Sequence, residues 1–282
     1  MAHEQQERYS KLVLAKLRQD LVLKDGVIFN NDYEGEPTAG TVKIPVRDAE
    51  VAVSDYDKAN GVTAGTGTTT YTDMLIDKDK AINEIIDGYD AQSVPDGIVA
   101  ERLDSGAYAI AKSIDSDGGK TLIDGATKKY MGSTAITKTN IYDKIIMAAR
   151  TALSKANVPN DGKRFMLATP DTMALIITAP EFIRASDLGD DVVKEGVIGK
   201  IAGFKVIEWN TDEDNLLAIF GHPRFATRAA EFKVDVHIEN LNGSGNYIGA
   251  SAVQGRKVYG HKVLRATAIQ SYYSGTAPSS GT

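Results

Sequence analysis

Residues 196–206 read Gly196-Val197-Ile198-Gly199-Lys200-Ile201-Ala202-Gly203-Phe204-Lys205-Val206. Three glycines run into an apolar segment. Glycine tolerates backbone conformations and close approaches that other residues resist, so the run predicts a tight turn with close backbone packing. A buried strand over Phe204–Trp209 follows. On the upstream side stands Arg164-Phe165-Met166-Leu167-Ala168-Thr169-Pro170-Asp171-Thr172-Met173-Ala174-Leu175-Ile176. It predicts a strand over Arg164–Ala168, then a short helix capped at Thr169, with Pro170 in its first turn. That helix ends at Ile177, before Pro180. Downstream, Leu216–Phe220 predicts another strand. The texture is one of short strands and helices in alternation.

Moving outward, Ile141, Ile145, Ala148, Ala149, Ala152 and Leu153 recur at helical spacing and predict a helix over Thr139–Ala156. A longer helix starts at Ser93 or Asp96, with Pro95 in its first turn. Its stripe is Ile98, Val99, Leu103, Ala107, Ile110 and Ile114, and the polar cluster Asp115–Gly119 is its expected stop. Thr41–Val46 is strand-like, and Pro45 assigns it to an edge or a strand end. Strands resume at Thr70–Ile76 and Ala81–Ile86. Between Tyr56 and Tyr71 only Ala59, Val62 and Ala64 are apolar, against three Gly and five Thr. Such a stretch cannot anchor itself in a core, so residues 48–70 are expected to form an exposed loop or a long hairpin tip, with Gly61, Gly65 and Gly67 near its end. Residues 4–23 carry Tyr9, Leu12, Val13, Leu17 and Leu21 at helical spacing. With the turn-rich Asp25–Gly40 they read either as an arm or as a first helix packed on its own domain. Near the C-terminus, Lys233–Glu239 and Lys257–Tyr272 are β-rich and split by a turn at 241–246, and the final Gly/Ser/Thr stretch reads as a mobile tail.

The chain has 282 residues, 42% apolar and 25% charged, which suits one large or two modest globular domains. It contains no Cys, which excludes disulfides, thiolate metal sites and a Cys nucleophile. No apolar run approaches the roughly 18 residues of a membrane span, and the N-terminus does not read as a secretory signal. The net charge of −6 leaves no overall basic footprint for nucleic acid.

Motifs for chemistry fall short one by one. Gly119-Lys120-Thr121 resembles the end of a phosphate-binding loop, but Ile114 stands where that loop needs its first Gly. Asp115, Asp117 and Gly118 hint at a calcium loop, yet its fifth position is Gly119 and its twelfth is Ala126. His3, His222, His237 and His261 form no zinc-type pair; His222 and His237 read as surface or strand histidines. Gly243-Ser244-Gly245 with Gly249 is followed by β-like sequence, not by the helix a dinucleotide loop requires. Asp187, Asp190 and Asp191 could hold a cation, or could simply lie on a solvated loop. No catalytic, cofactor or metal site is expected.

Taken with its surroundings, the glycine run resembles the major capsid proteins of tailed bacteriophages with the HK97-like fold. These often carry G-x-x-G-x-x-x-G-[apolar]-x-V entering a strand of their axial domain, which here reads GVIGKIAGFKV. The order of elements is similar as well: arm, extended loop between strands, long spine helix, axial domain, and a returning β segment, here Gly255-Arg256-Lys257-Val258-Tyr259-Gly260-His261 and onward. The resemblance implies an α+β fold. It places an N-terminal arm at 1–40, strands with the extended loop at 41–86, and a peripheral domain with its spine helix at 87–138. The axial domain falls at 139–232, and the returning strands with the tail at 233–282. It implies assembly roles for Gly61, Gly65 and Gly67 of the extended loop, structural roles for Gly196, Gly199 and Gly203, and an axial loop at Asp187, Asp190 and Asp191.

The implied function is structural: pentamers and hexamers of the chain closing an icosahedral shell around phage double-stranded DNA. The implied partners are the chain itself, a separate scaffolding protein, portal and decoration proteins, and packaged DNA held by weak non-specific contact, with no membrane. The implied location is the virion capsid, assembled in the host cytoplasm. A bacterial nanocompartment shell of the encapsulin type shares the fold and is the alternative. An α/β enzyme with no recognisable motif, or a Gly/Thr-rich surface adhesin, are readings of other classes.

Overall fold

The computed structural model describes residues 18, 21–32, 40–46, 53–62, 69–89, 98–180, 199–243 and 246–277. The described strands are β1 (Thr41–Val46), β2 (Thr70–Leu75), β3 (Lys78–Ile86), β4 (Thr127–Tyr130), β5 (Phe165–Ala168), β6 (Lys200–Ile201), β7 (Phe204–Glu208), β8 (Leu216–Gly221), β9 (Ala226–Asn240), β10 (Ser251–Val263) and β11 (Gln270–Tyr273). The described α-helices are α1 (Ile98–Gly125), α2 (Ala148–Lys155) and α3 (Pro170–Ile177). The strands form three sheets: an antiparallel pair β1-β2, a three-stranded sheet β3-β10-β9, and a mixed six-stranded sheet β4-β11-β8-β5-β7-β6.

Two apolar layers cover the six-stranded sheet, and the sequence of β5 shows why. Its four residues are all buried, and period-two alternation sends Met166 and Ala168 to one face and Phe165 and Leu167 to the other. The first face meets Ile141, Ile145, Ala149 and Leu153 ahead of and within α2, with Met173 and Ile176 of α3. The second meets Leu122 and Ile123 from the end of α1, with Trp209. The helix expected over 139–156 forms, but Tyr142–Met147 is a π-helical stretch ahead of α2. This wider turn accommodates the consecutive Ile145 and Ile146, both of which are buried together with Ile141 and Ala149.

Helix α1 runs through the stop expected at Asp115–Gly119 and ends at Gly125. At about 1.5 Å per residue its 28 residues span about 42 Å. The polar and small residues of that cluster are contact points. The buried Asp115 accepts the Leu23 N–H at 2.9 Å, and Asp117 accepts the Tyr259 hydroxyl at 2.8 Å. Gly118 and Gly119 are buried under Phe29, His261 and Trp209, where a Cβ on Gly119 would lie 2.4 Å from Trp209 Cζ2. The phosphate-loop and calcium-loop fragments therefore sit within a continuous helix. Closer to its start, the helix meets the three-stranded sheet at Gly106, where a Cβ would lie 2.4 Å from Ile82 Cδ1.

The helix expected over 4–23 does not reach residues 21–23, which are non-helical; residues 21–31 pack on the rest of the chain. They cross the junction between α1 and both larger sheets, with Leu23, Ile28 and Phe29 buried in the same layer as Trp209. Leu23 gives its N–H to a side chain instead of to a helical carbonyl. Asn30 takes a strand-like bridge to Thr227, its N–H donating to Ala226 and its carbonyl accepting from Arg228. Asp25 pairs with Arg228.

Two further boundaries differ from expectation. The segment Lys257–Tyr272 is not one β stretch: β10 ends at Val263, and β11 crosses into the six-stranded sheet between β4 and β8. The sequence cue was a β-rich composition, but Leu264 to Ile269 turn through a short 3₁₀ segment at Ala266–Ala268. Likewise β9 starts at Ala226, so the three-stranded sheet begins before residue 233. Thr169 precedes α3 as expected, yet its hydroxyl donates to Thr172 Oγ1 and the Leu217 carbonyl instead of capping the helix.

Candidate assembly surfaces

A hairpin of six residues per strand projects as β1-β2, with Thr41 opposite Leu75 and Val46 opposite Thr70. Each strand reaches about 20 Å. Alternation sets its two faces. Ile44 and Met74 point inward and pack with Ala229 of β9, flanked by Val42, Ile76 and Leu264, which fixes the root of the hairpin. Tyr71, Asp73 and Leu75 point outward and are exposed. The root also needs Gly260 of β10, where a Cβ would lie 2.2 Å from the Leu75 carbonyl oxygen. Pro45 lies in β1, whose only strand partner among the described residues is β2, in accord with an edge assignment.

Beyond the paired strands, residues 57–61 close a tight turn. The Gly61 N–H donates to the Asp57 carbonyl at 2.8 Å, and Gly61 has φ +71°. The Asp57 carboxylate accepts the Ala59 N–H at 2.8 Å and the Asn60 side-chain amide at 2.7 Å, and these bonds, the backbone one first, hold its pKa below the ordinary carboxylate value. The glycine is thus used for its positive φ, with open space around it. Gly65 and Gly67 lie outside the described residues.

Exposed large apolar side chains fall into two groups. Val53, Tyr56, Val62, Tyr71 and Leu75 belong to the hairpin and its excursion. Ile85, Tyr89, Val234, Ile238, Tyr247 and Ile248 belong to the three-stranded sheet and its far end, and Val53 and Ile248 are more than nine-tenths exposed. Among the described residues, none lies on the six-stranded sheet or on α1 to α3. Single exposed apolar residues are ordinary; their confinement to the hairpin with its excursion and to the three-stranded sheet is not, and makes these the candidate interaction surfaces. A two-stranded hairpin is also marginal by itself in water, so a covered outer face would suit it. Sequence reading located the excursion through its lack of core formers. It missed the outward Tyr71 and Leu75, whose alternation with Thr72 and Met74 was the available signal.

The glycine run resolves into a hairpin. β6 and β7 pair with Ile201 opposite Phe204, leaving Ala202 and Gly203 as a two-residue turn, both with positive φ, +48° and +86°. A Cβ on Gly203 would meet only Asn160 Oδ1, at 3.6 Å, so the expected close backbone approach is absent there and the backbone angle is what calls for glycine. Gly199 lies in open space, and Gly196 is outside the described residues, as are Asp187, Asp190 and Asp191.

His237 is an exposed residue of β9, as expected, whereas His222 is buried. His222 is 4% exposed; its Nδ1 accepts the Arg224 N–H and its Nε2 lies 3.0 Å from Asp161 Oδ1. That bond depresses the Asp161 pKa. Among the described residues no three acidic or histidine side chains gather as a metal site, and no helix is long and apolar enough to cross a membrane.

No protein-family model matches the chain, and no curated protein does. Its fold is that of solved phage shells. A structure from Mycobacterium phage Che8 superposes with a TM-score of 0.78 at 25% identity, covering 94% of this chain and 96% of that one. The capsid structure of the cyanophage P-SCSP1u gives 0.79 at 14% identity, covering 96% and 93%. The mature capsid of bacteriophage PhiM1 gives 0.68 at 12% identity, covering 95% and 93%. The architecture is the α+β, HK97-like fold along nearly the whole chain.

Proposed function

We infer that the chain is the major capsid protein of a tailed bacteriophage, a structural protein whose copies build the virion shell. One observation carries the reading: the phage-shell fold covers nearly the whole chain. The apolar extensions accord with it, because a subunit that must close a shell needs surfaces that its own core leaves uncovered.

In this reading, β3, β9, β10 and α1 form the peripheral domain, and the six-stranded sheet with α2 and α3 forms the axial domain. The hairpin β1-β2 lies across a neighbouring copy. Subunits associate as pentamers and hexamers, and closed symmetry repeats every hairpin contact around the shell. Assembly takes place in the host cytoplasm with a separate scaffolding protein, and portal and decoration proteins complete the particle. The net charge of −6 suits a wall that holds packaged double-stranded DNA only weakly. The chain acts as a structural protein and not as an enzyme. Neither the nanocompartment reading nor the adhesin reading gains support from the fold comparisons.

Electron microscopy of the chain expressed with its neighbouring genes tests the proposal. Closed polyhedral shells of uniform size are expected. A protein that stays monomeric or dimeric at high concentration, with the scaffold present, would refute it.

A further inference from the structure

The segment 21–31 is held against the rest of the chain around one unusual group. His261 of β10 sits between the Phe29 ring at 5.1 Å, the Tyr259 ring at 5.4 Å and the surface of Gly118 in α1. Both of its ring nitrogens are buried, with no hydrogen-bonding partner among the described residues. Opposite it on β9 stands Arg228, whose guanidinium lies over the Phe29 ring at 5.5 Å and pairs with Asp25 of the segment. The other charged groups facing the site are Lys257 on β10, and Asp117 on α1, which accepts the Tyr259 hydroxyl and lies 3.9 Å from Lys80 of β3. A neutral imidazole fits this largely apolar wall, on which the cations Arg228 and Lys257 are set against the anions Asp25 and Asp117. An imidazolium would be buried without an acceptor, near Arg228 and Lys257.

We propose that His261 is the pH-sensitive catch of a latch: its protonation releases residues 21–31 from α1 and β9. The inference rests on the packing of this chain alone and stands or falls apart from its role in a shell. Release exposes Leu23, Ile28 and Phe29 and leaves Trp209 without part of its cover. Burial, followed by the charge of Arg228, depresses the His261 pKa from 6.5 to about 4. The sign follows. The closed form binds the proton less readily than the open form, so closure is fully favoured above pH 6.5. It weakens as pH falls from there toward 4. By pH 4.5 the open fraction grows by roughly 20- to 100-fold from this group alone. Asp115 works the other way: burial raises its pKa, so acid eases its position beneath Leu23 and does not open the latch.

Hydrogen exchange of the full chain, read peptide by peptide at pH 7.5 and 4.5 and corrected for intrinsic rates, tests the latch. Protection of residues 21–31 is expected to fall at least tenfold more than that of β5 and β8. The fluorescence of Trp209, the only tryptophan, should shift over the same pH range. In His261→Leu the segment should keep its protection at pH 4.5. Equal pH dependence in the variant, or loss of protection in β5 and β8 together with the segment, would overturn the proposal. Should His261→Leu fail to fold, the wild-type imidazole titration followed by NMR decides. A midpoint that coincides with loss of protection supports the latch, and titration of His261 while the segment stays protected refutes it.

Discussion

At Gly119 two effects of opposite sign meet. Replacing a helix-interior glycine by alanine ordinarily stabilises by about 1 kcal/mol. Here the added methyl would lie 2.4 Å from Trp209 Cζ2 and 2.9 Å from Cη2, and overpacking a tight core costs about 1–3 kcal/mol. The clash offsets that gain or exceeds it, so Gly119→Ala is expected to destabilise by up to about 2 kcal/mol, read as a lower Tm with altered Trp209 emission. The turn of the glycine run gives a matched pair of changes. Gly203→Val puts a β-branched residue at φ +86° and should cost about 1–3 kcal/mol. Ala202 already occupies φ +48°, where an L-residue is strained, so Ala202→Gly should gain about 0.5–1 kcal/mol after the glycine entropy penalty. Urea denaturation of the three proteins would check both signs.

Among the elements, the hairpin β1-β2 separates folding from assembly. Its root is set by Ile44, Met74 and Ala229, while the excursion beyond Val46 and Thr70 makes no described core contact. Loop length affects folding weakly, about 0.6 kcal/mol per doubling. Replacing residues 47–69 with a short Gly-Ser turn should therefore leave circular dichroism and Tm nearly unchanged while closed shells are lost. Normal shells from that variant would show that the excursion is no clamp between subunits. The contrast with helix α1 shows what the sequence could disclose. The strands of the hairpin were legible because their signals are local: β-forming segments, a proline, a lack of core formers between them. The course of α1 past Asp115 was not, because Gly118 and Gly119 read as a break until Phe29, His261 and Trp209, all remote in sequence, are packed onto them. The same holds for His222 and for β11, whose places depend on partners no spacing rule points to.

For the whole molecule, three buried phenols set an alkaline limit. Tyr259 is fully buried and its pKa is pushed well above the usual value, by burial first and then by its bond to Asp117. Burial also raises Tyr272 and Tyr273 to about 12. Because the folded values lie above the unfolded one, near 10, their contribution is complete below pH 10. It is lost as pH rises toward 12 and beyond. The part of the phenolate absorbance that Tyr272→Phe removes should then rise in one step coincident with unfolding, and the substitution should move unfolding to higher pH. Ionisation of that part before any loss of circular dichroism would contradict the packing described.

The binding of Asn30 to Ala226, Thr227 and Arg228 has a consequence for biosynthesis. These partners are separated by 197 residues between Asn30 and Thr227, so the ribosome releases the first long before it makes the second. At about 5–20 residues per second, Leu23, Ile28 and Phe29 wait some ten seconds or more with their apolar surface uncovered. Nascent chains stalled before residue 226 should therefore recruit holdase chaperones and remain protease-sensitive in residues 21–31. Chains released after β10 should lose both properties together.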